Sequence, residues 1–213
     1  MAKLKESVVG VLISGIGQVV GSKWKGIAVL KIKPASVANP KTDKQLEQRQ
    51  KFAVAMAFLQ TMTKFLRVGW GAFAIKMTAM NAAMSYNIKN ALQGTYPNYA
   101  VDFPNALVSK GNLPPALNAT AASTVAATVA FIWLDNSTKE GASDTDKTMI
   151  VIYSPAKHQS VSAMGLQERL ANSQSVTVPS SFSGDLVHCY IAFETLDGSE
   201  QSNSMYAGAV TVA

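Results

Sequence analysis

The sequence predicts an α+β protein: N-terminal β-segments plus two helices, followed by a C-terminal β-sandwich of immunoglobulin or fibronectin type. Three observations predict it. Glycine breaks the first apolar runs into short segments. Apolar residues then recur at helical spacing through two stretches between positions 43 and 92. Beyond position 101 the chain becomes a series of short alternating runs parted by Asp, Asn, Gly and Ser clusters. With 213 residues, 48% of them hydrophobic and 15% charged, the chain is ordered and can bury a core as one large domain or two small ones. The change of pattern places the expected boundary between a basic region over 1–100 and a sandwich domain over 101–213.

Residues 7–33, "SVVGVLISGIGQVVGSKWKGIAVLKIK", read as short β-segments; the last alternates around Val29, Leu30 and Ile32 and runs into Pro34. Pro34, Asn39 and Pro40 set a loop, and Thr42 or Asp43 caps a helix over Asp43 to Arg67 that stops at Gly69. Its first two turns are polar and the rest is apolar nearly all round, so it begins in solvent and ends buried. A second helix spans Ala74 to Leu92, ending at Gly94. Its Ala residues and Met77, Met80 and Met84 suit close packing against a helix or another subunit. The following stretch, "GTYPNYAVDFPNALVSKGNLPPA", reads as an irregular connector.

Five strands are expected after it, at 124–135, 147–154, 175–182, 186–195 and 204–213. Alternation turns Trp133, Ile150, Ile152, Cys189, Ile191 and Phe193 inward.

The four glycines of "GIGQVVGSKWKG" invite a phosphate-binding reading that fails on spacing. A Walker loop needs Gly-Lys-Ser/Thr, but Ser22 follows Gly21; a dinucleotide fingerprint needs glycine where Val20 stands. A strand rather than a helix comes next. Gly15, Gly17, Gly21 and Gly26 are therefore expected to serve backbone geometry. No cofactor is expected.

Catalytic chemistry is equally thin. His158 and His188 are the only histidines and Cys189 the only cysteine, which excludes an internal disulfide. His188 and Cys189 are adjacent on a strand and so point to opposite faces, away from a nucleophile–base pair. Asp135, Asp144 and Asp146 surround a turn that could gather calcium, yet their spacing matches no EF-hand loop, and a solvated hairpin tip is the favoured reading. The protein is not expected to be an enzyme.

Charge is more informative. Residues 1–100 carry 14 Lys+Arg against 3 Asp+Glu, and residues 101–213 carry 5 against 10. Lys23, Trp24, Lys25, Lys31, Lys33, Arg49 and Lys51 form the candidate interaction surface, with Lys41 and Lys44 between them. Lysines neutralise phosphate and Trp24 can stack, so nucleic acid is possible; docking on an acidic neighbour is favoured over it. No apolar run approaches the ~18 residues that span a bilayer. The lysines before Val8–Ile13 imitate a signal peptide, but the run is short and glycine-broken. A cytoplasmic start at Met1 without cleavage is expected.

Taken in order, "SGIGQVVGSKWKG", "PKTDKQLEQRQKF", "NAAMSYNIKNALQGTYPNYAVDFPNALVSKGNLP", "FIWLDN" and "VHCYIAFETLDGSEQSNSMYAG" resemble an uncharacterised protein family found widely in Bacteroidota. The sequence departs from it at Leu30-Lys31, where an arginine is expected. The resemblance implies a cell-internal start and a β-rich C-terminal half. It implies no activity.

Two functions remain. The first is a self-assembling structural protein, such as a subunit of a virion, phage-tail-like particle or extracellular filament, in which basic and acidic halves of neighbouring copies meet. The last eight residues are then a strand for a neighbour's sheet edge, removable without unfolding the subunit. The second is a non-catalytic binding module, adhesin-like or nucleic-acid-associated through the basic half.

Overall fold

The computed structural model describes residues 2–3, 15–16, 18–24, 27–36 and 39–213. The expectations for Val8–Ile13, Gly17, Lys25 and Gly26 lie outside the described residues. The chain divides into two compact units, Met1–Gln45 and Leu46–Ala213.

The first unit is an antiparallel sheet of β1 (Ala2–Lys3), β2 (Gly15–Ile16), β3 (Val19–Trp24) and β4 (Ile27–Ile32), in the order β1-β4-β3-β2. β3 and β4 form a hairpin with Val19 opposite Ile32 and Gly21 opposite Leu30, and the Lys33 amide extends the ladder by donating to the Gln18 carbonyl at 2.7 Å. β4 ends before Pro34, which fixes φ and cannot donate to a neighbouring strand.

The second unit stacks a helical layer and two sheets. α1 (Asp43–Leu59) leads through a 3₁₀ turn at Gln60–Met62 into α2 (Thr63–Gly69). A single helix to Arg67 was expected. The interruption coincides with two threonine hydroxyls that donate back to backbone carbonyls, Thr61 to Phe58 at 2.9 Å and Thr63 to Gln60 at 2.8 Å, a pattern that bends helices. α3 covers Ala79–Asn90 and starts five residues later than expected. Its N-cap is Thr78, whose hydroxyl accepts the Asn81 amide at 3.2 Å.

The expected irregular connector contains a hairpin, β5 (Leu92–Thr95) with β6 (Asn98–Val101). Gly94 makes it possible: φ is +94° and a Cβ there would lie 2.2 Å from the Asn98 carbonyl oxygen.

The remaining strands are β7 (Leu117–Val125), β8 (Thr128–Leu134), β9 (Lys147–Ser154), β10 (Gln159–Glu168), β11 (Ser173–Thr177), β12 (Leu186–Glu194) and β13 (Met205–Thr211). They form a four-stranded sheet, β10-β9-β12-β13, and a three-stranded sheet, β11-β8-β7, each antiparallel. The sheets face each other across a core that includes all six residues expected inside, Trp133, Ile150, Ile152, Cys189, Ile191 and Phe193. The fold is α+β with a C-terminal β-sandwich.

The four-stranded sheet is covered on its other face too. Met149, Val151 and Tyr153 of β9, with Tyr190 and Ala192 of β12, share a second core with Phe58, Leu59, Phe65, Leu66 and Met84 of the helices. Its central strands β9 and β12 have no solvent face, which is why "MIVIY" is continuously apolar rather than alternating. The packing therefore puts the break between units at 45/46 instead of 100/101. The helices' apolar sides are buried by the sandwich, so they cannot belong to a separate domain.

The C-terminal strand is a further correction. β13 pairs with β12 through six register positions, and Ala207 and Val212 lie in the sandwich core. It is an integral strand and not a spare one for a neighbour.

Candidate functional site

Of the expected interaction residues, Lys23 and Trp24 lie on β3, Lys31 on β4 and Lys33 just past it, with Lys31 and Lys33 exposed. Residues two apart on an extended chain share a face. Lys31 and Lys33 therefore project from one side, and Leu30 and Ile32 from the other with Val19. This is an unusual sheet. Among its residues whose burial is described, 19–22 and 27–32, only Gly21 is buried, while Val19, Ile27 and Ile32 are 39%, 42% and 72% exposed.

Arg49 and Lys51 belong to the second unit, on α1, so the expected surface is split between two units. Lys51 is engaged locally. Its ammonium donates to Glu47 Oε1 at 2.6 Å and lies 4.9 Å from the Tyr99 ring centroid, while the Tyr99 hydroxyl donates to the same carboxylate oxygen at 2.7 Å. The hydrogen bond to Glu47 raises the Lys51 pKa.

No nucleophile site forms at His188–Cys189. Cys189 is fully buried in the sandwich core, where burial pushes its thiol up to about 12. His188 faces the helical side, stacked on Phe103 at 3.6 Å between ring centroids, and its Nδ1 shares a 2.8 Å hydrogen bond with the Tyr206 hydroxyl. Burial lowers the His188 pKa. His158 sits in the turn between β9 and β10 with φ +49°.

The aspartate turn differs from a solvated hairpin tip. Asp135 accepts the Ser137 amide at 2.9 Å and Asp144 accepts the Ser143 hydroxyl at 3.2 Å, both at the surface, but Asp146 is buried. Asp146 Oδ2 receives Arg169 through Nη2 at 2.9 Å and Nε at 3.1 Å. Arg169 also donates to Asn136 Oδ1 at 2.6 Å and to the Pro114 carbonyl at 3.1 Å, and its guanidinium lies 3.9 Å from the Phe193 ring centroid. Asp146 is thus a structural counter-ion. Among the described residues no group of three or more His, Cys, Asp or Glu is placed to hold a metal.

Sequence reasoning missed a cleft of about 270 Å³ walled by Trp70, Met77, Ser85, Tyr86, Lys89 and Lys110. The amide of Lys110 donates to the Gly69 carbonyl at 2.8 Å, pinning this residue to the end of α2. Its ammonium lies 4.9, 5.4 and 5.9 Å from the ring centroids of Phe73, Tyr86 and Trp70. Ser85 and Lys89 are four apart on α3, a helical spacing visible in sequence. Nothing in the sequence ties them to Lys110 or to Trp70.

A model described as a family of unknown function, DUF6266, matches residues 11–208. The chain belongs to that family. DUF6266 is an uncharacterised family, as the sequence resemblance implied. Among solved structures, the fn3 domain of the human collagen alpha-1(XX) chain is similar over 48% of this chain and 87% of that one, at 10% identity and a TM-score of 0.36. No curated protein matches. Among the described residues, no helix is long and apolar enough to cross a membrane.

Proposed function

We propose that this DUF6266 protein is a non-catalytic structural subunit that assembles with copies of itself. The observation that carries this reading is the N-terminal sheet: among its residues of described burial only Gly21 is buried, and Val19, Ile27 and Ile32 are exposed. Sheets of a few strands need an apolar face covered to be stable. Charge indicates what covers it. Residues 1–45 carry eight Lys+Arg against two Asp+Glu, whereas residues 46–213 carry eleven of each. The whole net charge of +6 therefore resides in the small unit.

A second copy offers a matching surface. The outer face of the three-stranded sheet exposes Ile132 and Leu134, at 55% and 52%, with Leu117 paired to Leu134 and the exposed Asp135 beside them. The N-terminal sheet of one copy meets this face on the next, apolar strip against apolar strip and lysine against carboxylate. Such a contact joins unlike surfaces, so repetition builds rings or open filaments. A virion, phage-tail-like particle or extracellular filament is the setting this fits. An origin in Bacteroidota belongs to the same proposal and rests on the sequence alone.

Negative-stain images of the purified protein test it. Wild type should show rings or filaments, and Lys31→Glu with Lys33→Glu should disperse them. Uniform single particles of wild type at every protein and salt concentration would refute the reading. Saturable nucleic-acid binding by such monomers would favour the binding module instead.

A further inference from the structure

The cleft beside Trp70 has a composition that the assembly contact does not use. No Asp or Glu lines it, and neither Lys89 nor Lys110 makes an ion pair among the described residues. Trp70 is almost wholly buried, and its indole N–H has no hydrogen-bond acceptor. Buried donors nearly always find one, and leaving one unpaired is costly. Two lysines and Trp70, whose indole N–H is buried without an acceptor, line one small space, and their common complement is an oxygen-rich anion.

The walls specify the rest of the ligand. Trp70 and Tyr86 present rings with centroids 5.8 Å apart, inclined by 52°, and Met77 adds a polarizable thioether. The volume suits a single ring with its anionic group, not an extended chain. We propose that this cleft binds an aryl oxyanion, a carboxylate or phosphate carried on a flat ring. The Lys89 and Lys110 ammonium groups meet its charge, the Trp70 indole N–H donates to one of its oxygens, and its ring lies against Tyr86 and Met77. The Lys110 backbone is held by the Gly69 carbonyl while its side chain is a flexible four-carbon stem. Its ammonium, which rests over the three rings, turns toward the arriving anion and uncovers them. Nothing in this binding depends on self-assembly.

The indole N–H resonances of the ¹⁵N-labelled full chain report on it directly. Trp24, Trp70 and Trp133 give one each, and Trp70→Phe identifies the relevant one. Titration with benzoate or phenyl phosphate should move the Trp70 resonance downfield to saturation; whichever of the two saturates at lower concentration names the head group. Inorganic phosphate should bind at least about tenfold more weakly, and benzyl alcohol should not saturate. Lys110→Met and, separately, Lys89→Met should each weaken the aryl anion by about tenfold while the Trp133 resonance keeps its position, showing that the fold is intact. The proposal is overturned if neither aryl anion saturates the Trp70 shift, if benzyl alcohol or inorganic phosphate matches them, or if both lysine variants bind as tightly as wild type.

Discussion

A single oxygen of Asp146, Oδ2, accepts hydrogen bonds from Nε and Nη2 of Arg169 and from the Ser143 amide, with both side chains closed to solvent. This pair ties the 135–146 loop to the end of β10. Burial lowers the Arg169 pKa, and the bond to Asp146 opposes that shift. Trp133 Nε1 adds a fixed point by donating to the Arg169 carbonyl at 2.7 Å.

Removing one partner strands the other as a buried charge. Arg169→Met should lower the unfolding free energy by about 3–5 kcal/mol, and Asp146→Leu by a similar amount. The double variant should recover much of that loss, because a buried pair replaced by apolar groups is often neutral. Urea denaturation of the three variants checks the cycle; equal losses that simply add would contradict the pairing.

Truncation of the last eight residues should unfold the protein. It removes β13 from Tyr206 onward together with Ala207 and Val212 of the core, and it strips β12 of a neighbour. Near-ultraviolet circular dichroism should lose its tertiary signal. A truncated chain with a native spectrum and a cooperative melt would contradict the sheet order.

His188 should make stability fall in mild acid. Its folded pKa is lowered by burial from an ordinary value of 6.5, so the unfolded chain binds the proton more readily. Stability is then full above about pH 7 and declines as pH drops through 6.5 toward the folded value. Glu194, raised by burial, acts in the opposite direction at lower pH. The difference in urea midpoint between wild type and His188→Phe isolates the histidine, and it should shrink as pH falls from about 7.5 to about 5. A difference independent of pH would contradict the assignment.

Gly111 is a steric requirement. A Cβ there would lie 1.7 Å from the Gln201 carbonyl oxygen, the same oxygen that accepts the Leu113 amide at 3.1 Å. Since the obstacle is backbone, Gly111→Ala should destabilise by at least ~2 kcal/mol. Gly71→Ala, where a Cβ meets nothing within 4 Å, serves as the control in the same thermal melts.

What could be read from the sequence follows its local physics. Trp133 and the alternating Cys189, Ile191 and Phe193 announced one buried face, because period two is written into a strand. The same rule could not say that Met149, Val151 and Tyr153 meet helices, since continuous apolarity does not name its partner. β10 escaped notice because it is a polar edge strand, "QSVSAMGLQE", with a bulge between Met164 and Glu168 and Gly165 at φ +73°. At the candidate surface, Lys31 and Lys33 were legible as exposed. The Glu47 partner of Lys51 stands one helical turn away and was legible in the sequence, but the Tyr99 ring beside Lys51 and the Arg169 partner of Asp146 stand 48 and 23 positions away. Contacts at that separation are made by the fold and leave no local trace.

Sedimentation velocity tests whether the N-terminal sheet of one copy docks on the sandwich of another. Wild type should sediment faster as its concentration rises and slow when salt is raised, since exposed charges are screened over about 8 Å at physiological ionic strength. Ile32→Asp, which puts a charge into the apolar strip, should sediment as a monomer in both salts with an unchanged circular dichroism spectrum. Wild type that remains a monomer at all concentrations, or an Ile32→Asp variant that associates as wild type does, would contradict the account.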